Sequence, residues 1–394
     1  MRSAFKCRAY PDPEQAAMLS RTFGCVRLVW NKTLADRRQR YAACGQRVTY
    51  KESSAALTDW KKNPDMAFLG EVSCVPLQQT LRHQDAAFKN FFSGRSRYPR
   101  FKSRSGRQSA HFTRSAFRMR EGELFLAKSG APLRFVWSFD TDLADLDPTT
   151  VVVSREPDGR WYVTFVVDIA AGTEIAPTGS DVGVDLGLKD LAVFSTGERV
   201  GNPKHLERKA RNLARYQRRL ARKKRGSANR DKARRKVART HRKVRNARAD
   251  FLHRLSAKLV RDYDLIAVED LNVQGMMHNR RLARAIGDSG WGELRRQIEY
   301  KAARSGRTVA VVDRWFPSSK MCSDCGNILE KLDLGTRVWT CPDCRTRHDR
   351  DINAARNILA AGRAVARDFP GDACGADVRR SGFARARSAT KQET

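Results

Sequence analysis

Two closely spaced cysteine pairs place the strongest constraint on how this chain can fold. They follow the pattern CxxC, fifteen residues, CxxC, and comprise Cys322, Cys325, Cys341 and Cys344. Four thiolates at this spacing suit a tetrahedral Zn²⁺ ion, so we expect a zinc ribbon over residues 321–345. Gly326 permits a tight turn after the first pair, whereas Arg345 holds the same place less comfortably after the second. Because the set leaves no ligand position open to water, the zinc is expected to be structural.

Positive charge limits the partners of the chain. Its 394 residues include 77 Lys plus Arg but only 43 Asp plus Glu, a formal net charge of +34. Self-repulsion on this scale favours a polyanionic partner, and nucleic acid gains affinity as its neutralised phosphates release counterions. A membrane partner would require an apolar span or an amphipathic anchor, and we identify neither. The first residues lack the apolar core of a signal peptide, so we expect a cytoplasmic protein, or a nuclear one in a eukaryote.

Two segments concentrate this charge. Residues 204–248 contain only Glu207 and Asp231 as acids, and their larger apolar residues recur every seven positions. This pattern favours a basic helical hairpin with a thin apolar seam, and we expect it to contact nucleic acid. Residues 94–120 interleave Arg and Lys with aromatic residues, whose rings either stack on bases or belong to a core. We favour the core for most of the rings and phosphate binding for the cations.

The sequence pattern predicts a mostly helical N-terminal part over residues 12–93. Asp12 can cap a first helix, Pro13 suits the first helical position, and Gln15 can close a capping box with Asp12. A second helix is predicted from Gly24 to about residue 43, and a third over residues 76–93, where large apolar residues recur at helical spacing.

A β-layer is predicted after this helical block. Residues 121–170 favour strands, and Pro157-Asp158-Gly159 has the composition of a hairpin turn. A strand at residues 4–10 can pair into the same layer. In that arrangement the helical block is an insertion between two parts of one β-domain.

The C-terminal half has the pattern of an α/β domain. A strand pair near residues 182–197 is followed by the basic hairpin, a strand at 265–268, a helix at 291–304 and a strand at 308–312. The length suits two or three domains. Residues 368–394 are rich in Gly, Ala and Arg, and we expect a disordered tail there.

Three acids lie where a carboxylate is costly unless it is paired or bound to metal. Asp185 lies inside an apolar strand, Glu269 ends another, and Asp351 begins an alanine-rich helix. Converging carboxylates could hold two divalent ions about 4 Å apart for phosphodiester hydrolysis, and Mg²⁺ suits oxygen ligands. Asp270 competes with Glu269 for this role, and Asp349 competes with Asp351. The alternative is that these acids merely cap a loop or a helix.

Other catalytic classes find little support in the sequence. The seven histidines are isolated, and none forms a Ser-His-Asp or Cys-His arrangement. The chain has no phosphate-binding glycine loop, so ATP is not implied.

Taken together, these motifs resemble the TnpB family of RNA-guided nucleases, which insertion sequences encode and which are related to type V CRISPR effectors. The resemblance covers nearly the whole chain. Its strings are AYPDPEQ, FGCVRLVWNKTL, SRYPRFKSR, GVDLGLKDLAVFSTGE, AVEDLN, WFPSSKMCSDCG and CPDCRTRHDRDINAARNIL. The last two are the most specific, because the cysteines lie between the second and third acids. One departure from the family pattern is Arg345, where the family usually has glycine.

The resemblance implies an α/β and α+β multidomain fold. It has a RuvC-type, RNase H-like nuclease domain with an inserted zinc ribbon and an N-terminal β-barrel wedge domain interrupted by a helical recognition block. The implied ranges are 1–11 and 94–172 for the wedge, 12–93 for the recognition block, 180–320 and 346–367 for the nuclease domain with its basic hairpin at 204–262, and 321–345 for the ribbon.

The resemblance also implies the chemistry. It assigns catalysis and Mg²⁺ binding to Asp185, Glu269 and Asp351, and it implies a guide RNA from the end of the element, a DNA target beside a short motif, and a bacterial protein at the nucleoid. Some members of the family have lost catalytic acids and act as repressors, whereas this chain keeps all three, which argues against a repressor here. A guided repressor that does not cut and a transposase with a similar acid triad are the alternatives.

Overall fold

The computed structural model describes residues 2–168, 174–333 and 335–368. Within these ranges the chain forms two compact units. Residues 2–168 and 216–239 belong to the first unit, and the other described residues belong to the second. Over the described residues, no helix combines the length and the apolar character needed to cross a bilayer.

The first unit combines an antiparallel sheet with a helical block. Its strands are β1 (Arg2–Ala9), β2 (Gln108–Thr113), β3 (Phe117–Arg120), β4 (Glu123–Leu126), β5 (Phe135–Val136), β6 (Pro148–Arg155) and β7 (Trp161–Asp168). Its helices are α1 (Pro13–Cys44), α2 (Tyr50–Lys62) and α3 (Cys74–Phe92), with 3-10 turns at Pro64–Gly70 and Arg114–Ala116.

Strand pairing confirms the predicted insertion. The sheet order is β2-β6-β7-β1-β5, and β3 pairs with β4 separately. The β6–β7 hairpin turns at residues 157–159, where Gly159 has a φ of 91°. β1 pairs with β7 along its length, from Arg2 opposite Asp168 to Ala9 opposite Trp161, so the helical block lies between paired strands. The described pairing ends at β2 and β5 and does not close the sheet, so the barrel stays a prediction.

The first helix is longer than the sequence pattern predicts. Asp12 forms the predicted capping box with Gln15, but α1 then continues through Gly24 to Cys44 as one helix. The prediction of a separate helix starting at Gly24 is therefore wrong. Glycine inside a helix costs only about 1 kcal/mol relative to alanine. Phe23 and Val26, which are both buried, more than offset that cost.

The core of the first unit lies where its helices pack on the sheet. Leu19, Leu77, Val153 and Phe165 are among its fully buried side chains.

The aromatic residues of 94–120 divide into two classes. Phe112 and Phe117 are core residues as predicted, whereas Tyr98 and Phe101 are exposed. The interpretation of this segment as mostly core therefore holds for its β2–β3 half alone.

The second unit is built on a mixed five-stranded sheet of order β10-β9-β8-β11-β12. Its strands are β8 (Asp181–Leu186), β9 (Asp190–Phe194), β10 (Arg199–Gly201), β11 (Leu265–Glu269) and β12 (Thr308–Val312), with a small ribbon of β13 (Val338–Thr340) and β14 (Arg347–Asp349). Its helices are α6 (Val273–Met276), α7 (Ala283–Ser289), α8 (Trp291–Ser305) and α9 (Arg350–Asp368), with a 3-10 turn at Glu207–Lys209.

Two basic helices contribute to both units. They are α4 (Ala210–Ala221) and α5 (Ala228–Asp262), which confirm the helices predicted within residues 204–248. Of the residues spaced by seven, Leu213 and Val244 are buried. The Arg230 guanidinium donates to the carbonyl oxygens of Leu220 and Lys223 at 3.0 and 2.9 Å, which caps the last turn of α4.

Helix α9 packs on β8, β11 and β12. Ile358 of α9 and Ala267 of β11 are fully buried in this layer. The predicted disordered tail lies outside the described residues apart from Asp368, which ends α9.

Candidate active site

Asp185 lies in the central strand of the second unit. Its neighbours Val182 and Val184 are fully buried, so the apolar run that forms β8 also carries the carboxylate into the protein. Burial above all, together with the carboxylates of Glu269 and Asp351, raises the pKa of Asp185 to about 7, against a smaller opposing effect of Arg350. Glu269 and Asp351 are therefore near enough to Asp185 to affect its ionisation.

Glu269 reaches the same edge from the adjacent strand. β8 and β11 are parallel, with Val184 opposite Val268, so Asp185 and Glu269 are the next residues on the two strands. The Ser318 hydroxyl donates to Oε1 of Glu269 at 2.7 Å. Burial raises the pKa of Glu269, and the Ser318 hydrogen bond partly offsets this. The carboxylate is thus oriented by a neutral donor.

Asp270 is engaged differently. Arg295 donates to it at 2.7 Å, and Arg314 bonds its other carboxylate oxygen. Burial would raise the pKa of Asp270, but these two guanidinium groups lower it overall. Arginines neutralise Asp270, whereas Glu269 raises the pKa of Asp185. These contacts distinguish the two acids, which the residue pattern alone left as alternatives for the same role.

Asp349 and Asp351 are separated in a similar way. Oδ1 of Asp349 accepts hydrogen bonds from the backbone N–H groups of Asp351 and Ile352, both at 3.1 Å, so it caps α9. Asp351 lies in the first turn, with guanidinium nitrogens of Arg199 and Arg337 at 3.5 and 3.7 Å from its carboxylate. The capping alternative therefore describes Asp349.

The spacing of the acids bears on how many ions they could bind. Among the described residues, the ligand atoms that all lie within 4.8 Å of one another are those of the cysteine quartet. The three carboxylates are more widely spaced, so one ion could not bind all of them as placed. The burial of Asp185 and Glu269, and the repulsion that Asp185 experiences from the other two acids, fit a site that a cation neutralises, and oxygen ligands of this kind suit Mg²⁺.

The four cysteines form a compact cluster. Sγ of Cys322 lies 3.5 Å from Sγ of Cys344, and Sγ of Cys325 lies 3.6 Å from Sγ of Cys341. Tetrahedral Zn–S bonds of about 2.3 Å place sulfur atoms roughly 3.8 Å apart. The cluster therefore fits structural zinc, as its spacing predicts.

The two cysteine pairs have matching turns. The N–H of Gly326 donates to the carbonyl oxygen of Cys322, and that of Arg345 to the carbonyl oxygen of Cys341. Gly326 has a φ of 81° and Arg345 a φ of 62°. A non-glycine residue in this left-handed region costs about 1 to 2 kcal/mol. The backbone strain expected at Arg345 is therefore present.

His348 is not isolated, contrary to the sequence interpretation. It is buried, its Nε2 lies 3.0 Å from Sγ of Cys322, and its ring lies 4.7 Å from that of Trp339. β14 brings it back beside the first cysteine pair, and sequence distance concealed this contact.

Two buried asparagines were also missed. Asn353 and Asn357 of α9 both donate to the carbonyl oxygen of Met321 at 2.7 Å, and Asn357 also donates to that of Ser318 at 2.8 Å. They connect α9 with the residue before Cys322 and with the serine that bonds Glu269. Their spacing of four residues on one helical face was the available signal.

An arginine-lined cavity of about 930 Å³ lies in the first unit. Its acidic lining residues are Glu156 and Asp231. Its arginines are Arg27, Arg104, Arg155, Arg230, Arg234 and Arg235. Burial lowers the pKa of Arg155, and the nearby charges of Arg235 and Arg234 lower it further. Like charges crowd together here, as expected for a site that binds phosphates.

Three family models match the chain. Residues 152–280 match OrfB_IS605, described as a probable transposase, and residues 291–358 match the Cas12f1-like TNB domain. Residues 1–46 match a model described as a helix-turn-helix domain. There the structure has β1 followed by the single long helix α1.

Relatives match the chain along its length. A protein of Streptomyces pristinaespiralis, named as an RNA-guided DNA endonuclease, is 52% identical over 396 residues, which cover 100% of this chain and 96% of the relative. InsQ of Escherichia coli strain K12, named in the same way, is 31% identical over 381 residues, which cover 92% of each protein.

A solved structure supports the same grouping at the level of fold. The cryo-EM structure of a Cas12f1–sgRNA–target DNA complex contains a chain that is similar with a TM-score of 0.54, over 91% of this chain and 98% of that chain. The sequence identity is 13%, so this likeness concerns the fold alone. Because two relatives above 30% identity match over nearly their whole length, the chain belongs to the TnpB family, the OrfB group of IS605-type elements.

Proposed function

We propose that this protein is an RNA-guided DNA endonuclease whose catalytic carboxylates are Asp185, Glu269 and Asp351. The observation that carries the proposal is the meeting of these acids at one edge of the second unit's sheet, where two of them raise the pKa of the third. The relative that is 52% identical over the whole chain is named for this activity.

The topology of the second unit supports an RNase H-like nuclease domain. Three antiparallel strands, β10, β9 and β8, are followed by β11 and β12, both parallel to β8, and α9 covers the sheet. In an open sheet of this kind, the carboxyl ends of parallel strands are where functional residues gather. Asp185 and Glu269 lie at those ends.

The three acids would bind Mg²⁺, and the surrounding residues position them. Ser318 orients Glu269, while Asp349 caps α9 and so fixes its first turn, which carries Asp351. Bound divalent ions would supply an activated water and stabilise the leaving oxygen of a phosphodiester. Arg199, which ion-pairs with both Asp349 and Asp351, would release Asp351 when the metal binds.

The arginine-lined cavity and the basic helices support an RNA partner. Six arginines line the cavity, and α5 carries basic residues along most of its length. Each neutralised phosphate adds affinity by counterion release. We infer that the guide RNA binds these surfaces and that pairing with the guide reads the DNA sequence. Such a complex would act on the nucleoid in the bacterial cytoplasm.

The test is cleavage with a defined guide. Protein purified with its copurifying RNA is incubated with Mg²⁺ and a DNA that matches the variable end of that RNA. We expect cleavage by the wild-type protein and none by Asp185→Asn or Glu269→Gln, with RNA retained in both variants. Cleavage by either variant at the wild-type rate would refute the assignment of the acids.

A transposase is the second candidate, because one matched family model carries that description. Strand joining would require the protein to bind the ends of its element and to transfer them without a guide RNA. Incubation of RNA-free protein with such ends and a target plasmid distinguishes the two functions. Joined products would favour the transposase. A guided repressor would instead retain the RNA and bind the target without cutting it.

A further inference from the structure

Trp315 is the most exposed large apolar side chain among the described residues. It is 85% exposed, whereas the next, Tyr41, is 61% exposed. Exposing an indole forgoes a large part of the burial that aromatic residues normally contribute. The exposed indole therefore adds little to the stability of the fold, and its role is better explained by contact with a binding partner.

The backbone around Trp315 is held in place. Its N–H donates to Oδ1 of Asp313 at 2.8 Å, and the N–H of Phe316 donates to the carbonyl oxygen of Asp313 at 3.1 Å. Arg314 is bonded to Asp270, and Phe316 packs on the core between β12 and α9. Both neighbours of Trp315 are thus anchored while its own ring faces solvent.

The same turn lies at the edge of the sheet that carries the acids. Val312, which ends β12, is the register partner of Glu269. Ser318, at the other end of the turn, donates to Glu269 at 2.7 Å. Trp315 lies three residues from each of these points of contact. Both ends of this segment therefore contact Glu269, a predicted catalytic acid. The segment between them presents the indole to solvent.

We propose that Trp315 stacks on an unpaired nucleobase of the DNA strand next to the phosphate to be cut. This inference rests on the proposed function. A fixed, solvent-facing aromatic ring is a platform on which a base can stack without sequence preference. Bases inside a duplex already stack on one another, so the partner is a base in a single-stranded segment. The stacked base would position the neighbouring phosphate over Asp185 and Glu269.

The first test measures stacking without cleavage. Asp185→Asn protein is titrated into a short single-stranded DNA that carries the fluorescent base 2-aminopurine at successive positions. We expect quenching at one or two positions, loss of that quenching in Asp185→Asn/Trp315→Ala, and its retention in Asp185→Asn/Trp315→Phe. A matched control is Tyr300→Ala in the same background, because Tyr300 is a half-exposed aromatic residue on α8.

Binding and cleavage give the magnitude. Loss of one base–aromatic stack should weaken the single-strand affinity about 5- to 150-fold, with Trp315→Phe close to wild type. In otherwise wild-type protein, Trp315→Ala should lower guided cleavage by a comparable factor, while Tyr300→Ala should not. Bound RNA should be unchanged.

The outcomes separate this inference from the proposed function. Guided cleavage by wild-type protein together with unchanged quenching, affinity and cleavage in Trp315→Ala would overturn the stacking role alone. No guided cleavage by wild-type protein would overturn the endonuclease, even if Trp315 quenches 2-aminopurine. Quenching and affinity unaffected by Trp315→Ala, with the protein instead losing a copurifying protein partner, would assign the indole to that partner and would also refute the proposal.

Discussion

A Cβ atom added to Gly183 on β8 would lie 2.0 Å from the carbonyl oxygen of Ala355 on α9. The same atom would lie 2.7 Å from the backbone nitrogen of Leu359, so the strand and the helix touch through their backbones. Gly362 repeats the close approach further along α9, where a Cβ would lie 2.4 Å from that of Ala267. This contact fixes α9, which begins near Asp351, against the strand that carries Asp185.

Substitution of Gly183 with alanine should therefore damage stability and activity together. Backbone atoms cannot move aside as a flexible side chain can, so Gly183→Ala should lower the free energy of unfolding by at least about 1 to 3 kcal/mol. Displacement of α9 should also reduce guided cleavage. The matched control is Gly292→Ala on α8, where a Cβ meets nothing within 4 Å and the variant should be neutral or slightly more stable. Equal melting temperatures for the two variants would contradict this reading of the contact.

Removal of the Asp185 charge should increase stability while abolishing cleavage. Burial and two neighbouring carboxylates make this charge costly in Mg²⁺-free protein, so Asp185→Asn should melt at a higher temperature than the wild type in Mg²⁺-free buffer without a chelator, which leaves the zinc ribbon intact. Mg²⁺ should raise the melting temperature of the wild type but not that of the variant, because binding to the native state stabilises it.

An exposed acid provides the comparison for Asp185→Asn. Asp250 lies on α5 and pairs with Arg254 at 2.6 Å on the surface. Asp250→Asn should leave both the melting temperature and the Mg²⁺ response close to wild type. A Mg²⁺-induced shift that persists in Asp185→Asn would place the metal elsewhere.

The matching turns of the zinc ribbon predict opposite effects for two substitutions. Arg345→Gly should relieve the left-handed strain and stabilise the ribbon by about 1 kcal/mol, and Gly326→Ala should introduce a similar strain. Competition with a zinc-binding dye measures the effect. Zinc release should require more chelator in Arg345→Gly and less in Gly326→Ala. If both variants released zinc at the same chelator concentration, the geometry of the two turns would not govern the site.

The arginine-lined cavity should contribute to RNA affinity in a salt-dependent way. Arg155 and Arg235 crowd one another, so Arg155→Gln/Arg235→Gln should weaken RNA binding. The slope of log K against log salt concentration should fall by about 0.7 to 0.9 for each phosphate contact that is lost. The control is Arg118→Gln/Arg120→Gln, which removes two exposed arginines of β3. The same loss in both double variants would indicate a general charge effect without a specific cavity.

Acid should destabilise the fold through His111. Burial lowers the pKa of His111 to about 4, with smaller contributions from His83, Lys102 and Arg107, and the His83 ring lies 4.3 Å away. Between pH 6.5 and 4 the unfolded chain therefore binds more protons than the folded one, so the free energy of unfolding falls as the pH falls.

Urea unfolding across this pH range tests the contribution of His111. His111→Gln, which cannot be protonated, should show a smaller decrease in stability than the wild type between pH 6.5 and 4. His278→Gln removes an exposed histidine and should retain the wild-type profile. Superimposable profiles for wild type and His111→Gln would mean that other groups cause the acid sensitivity.

Much of the architecture follows from local patterns in the sequence. The spacing of the cysteines determines a zinc-type cluster, because two CxxC turns need only short-range geometry. Apolar runs and turn residues predict the β6–β7 hairpin, β11 and β12, and the capping box predicts the start of α1. The three acids were identifiable because charge inside an apolar strand, or at the start of a tightly packed helix, is conspicuous.

The tertiary structure decided what depends on register and close approach. Parallel pairing places Glu269 next to Asp185, whereas Asp270 forms ion pairs with arginines. Asp349 caps α9, and this role distinguishes it from Asp351. Neighbouring acids are equivalent in a sequence pattern because their side chains differ only in the direction that the folded backbone gives them. The continuation of α1 through Gly24 and the exposure of Trp315 were likewise beyond local patterns, since each depends on what the rest of the chain packs against it.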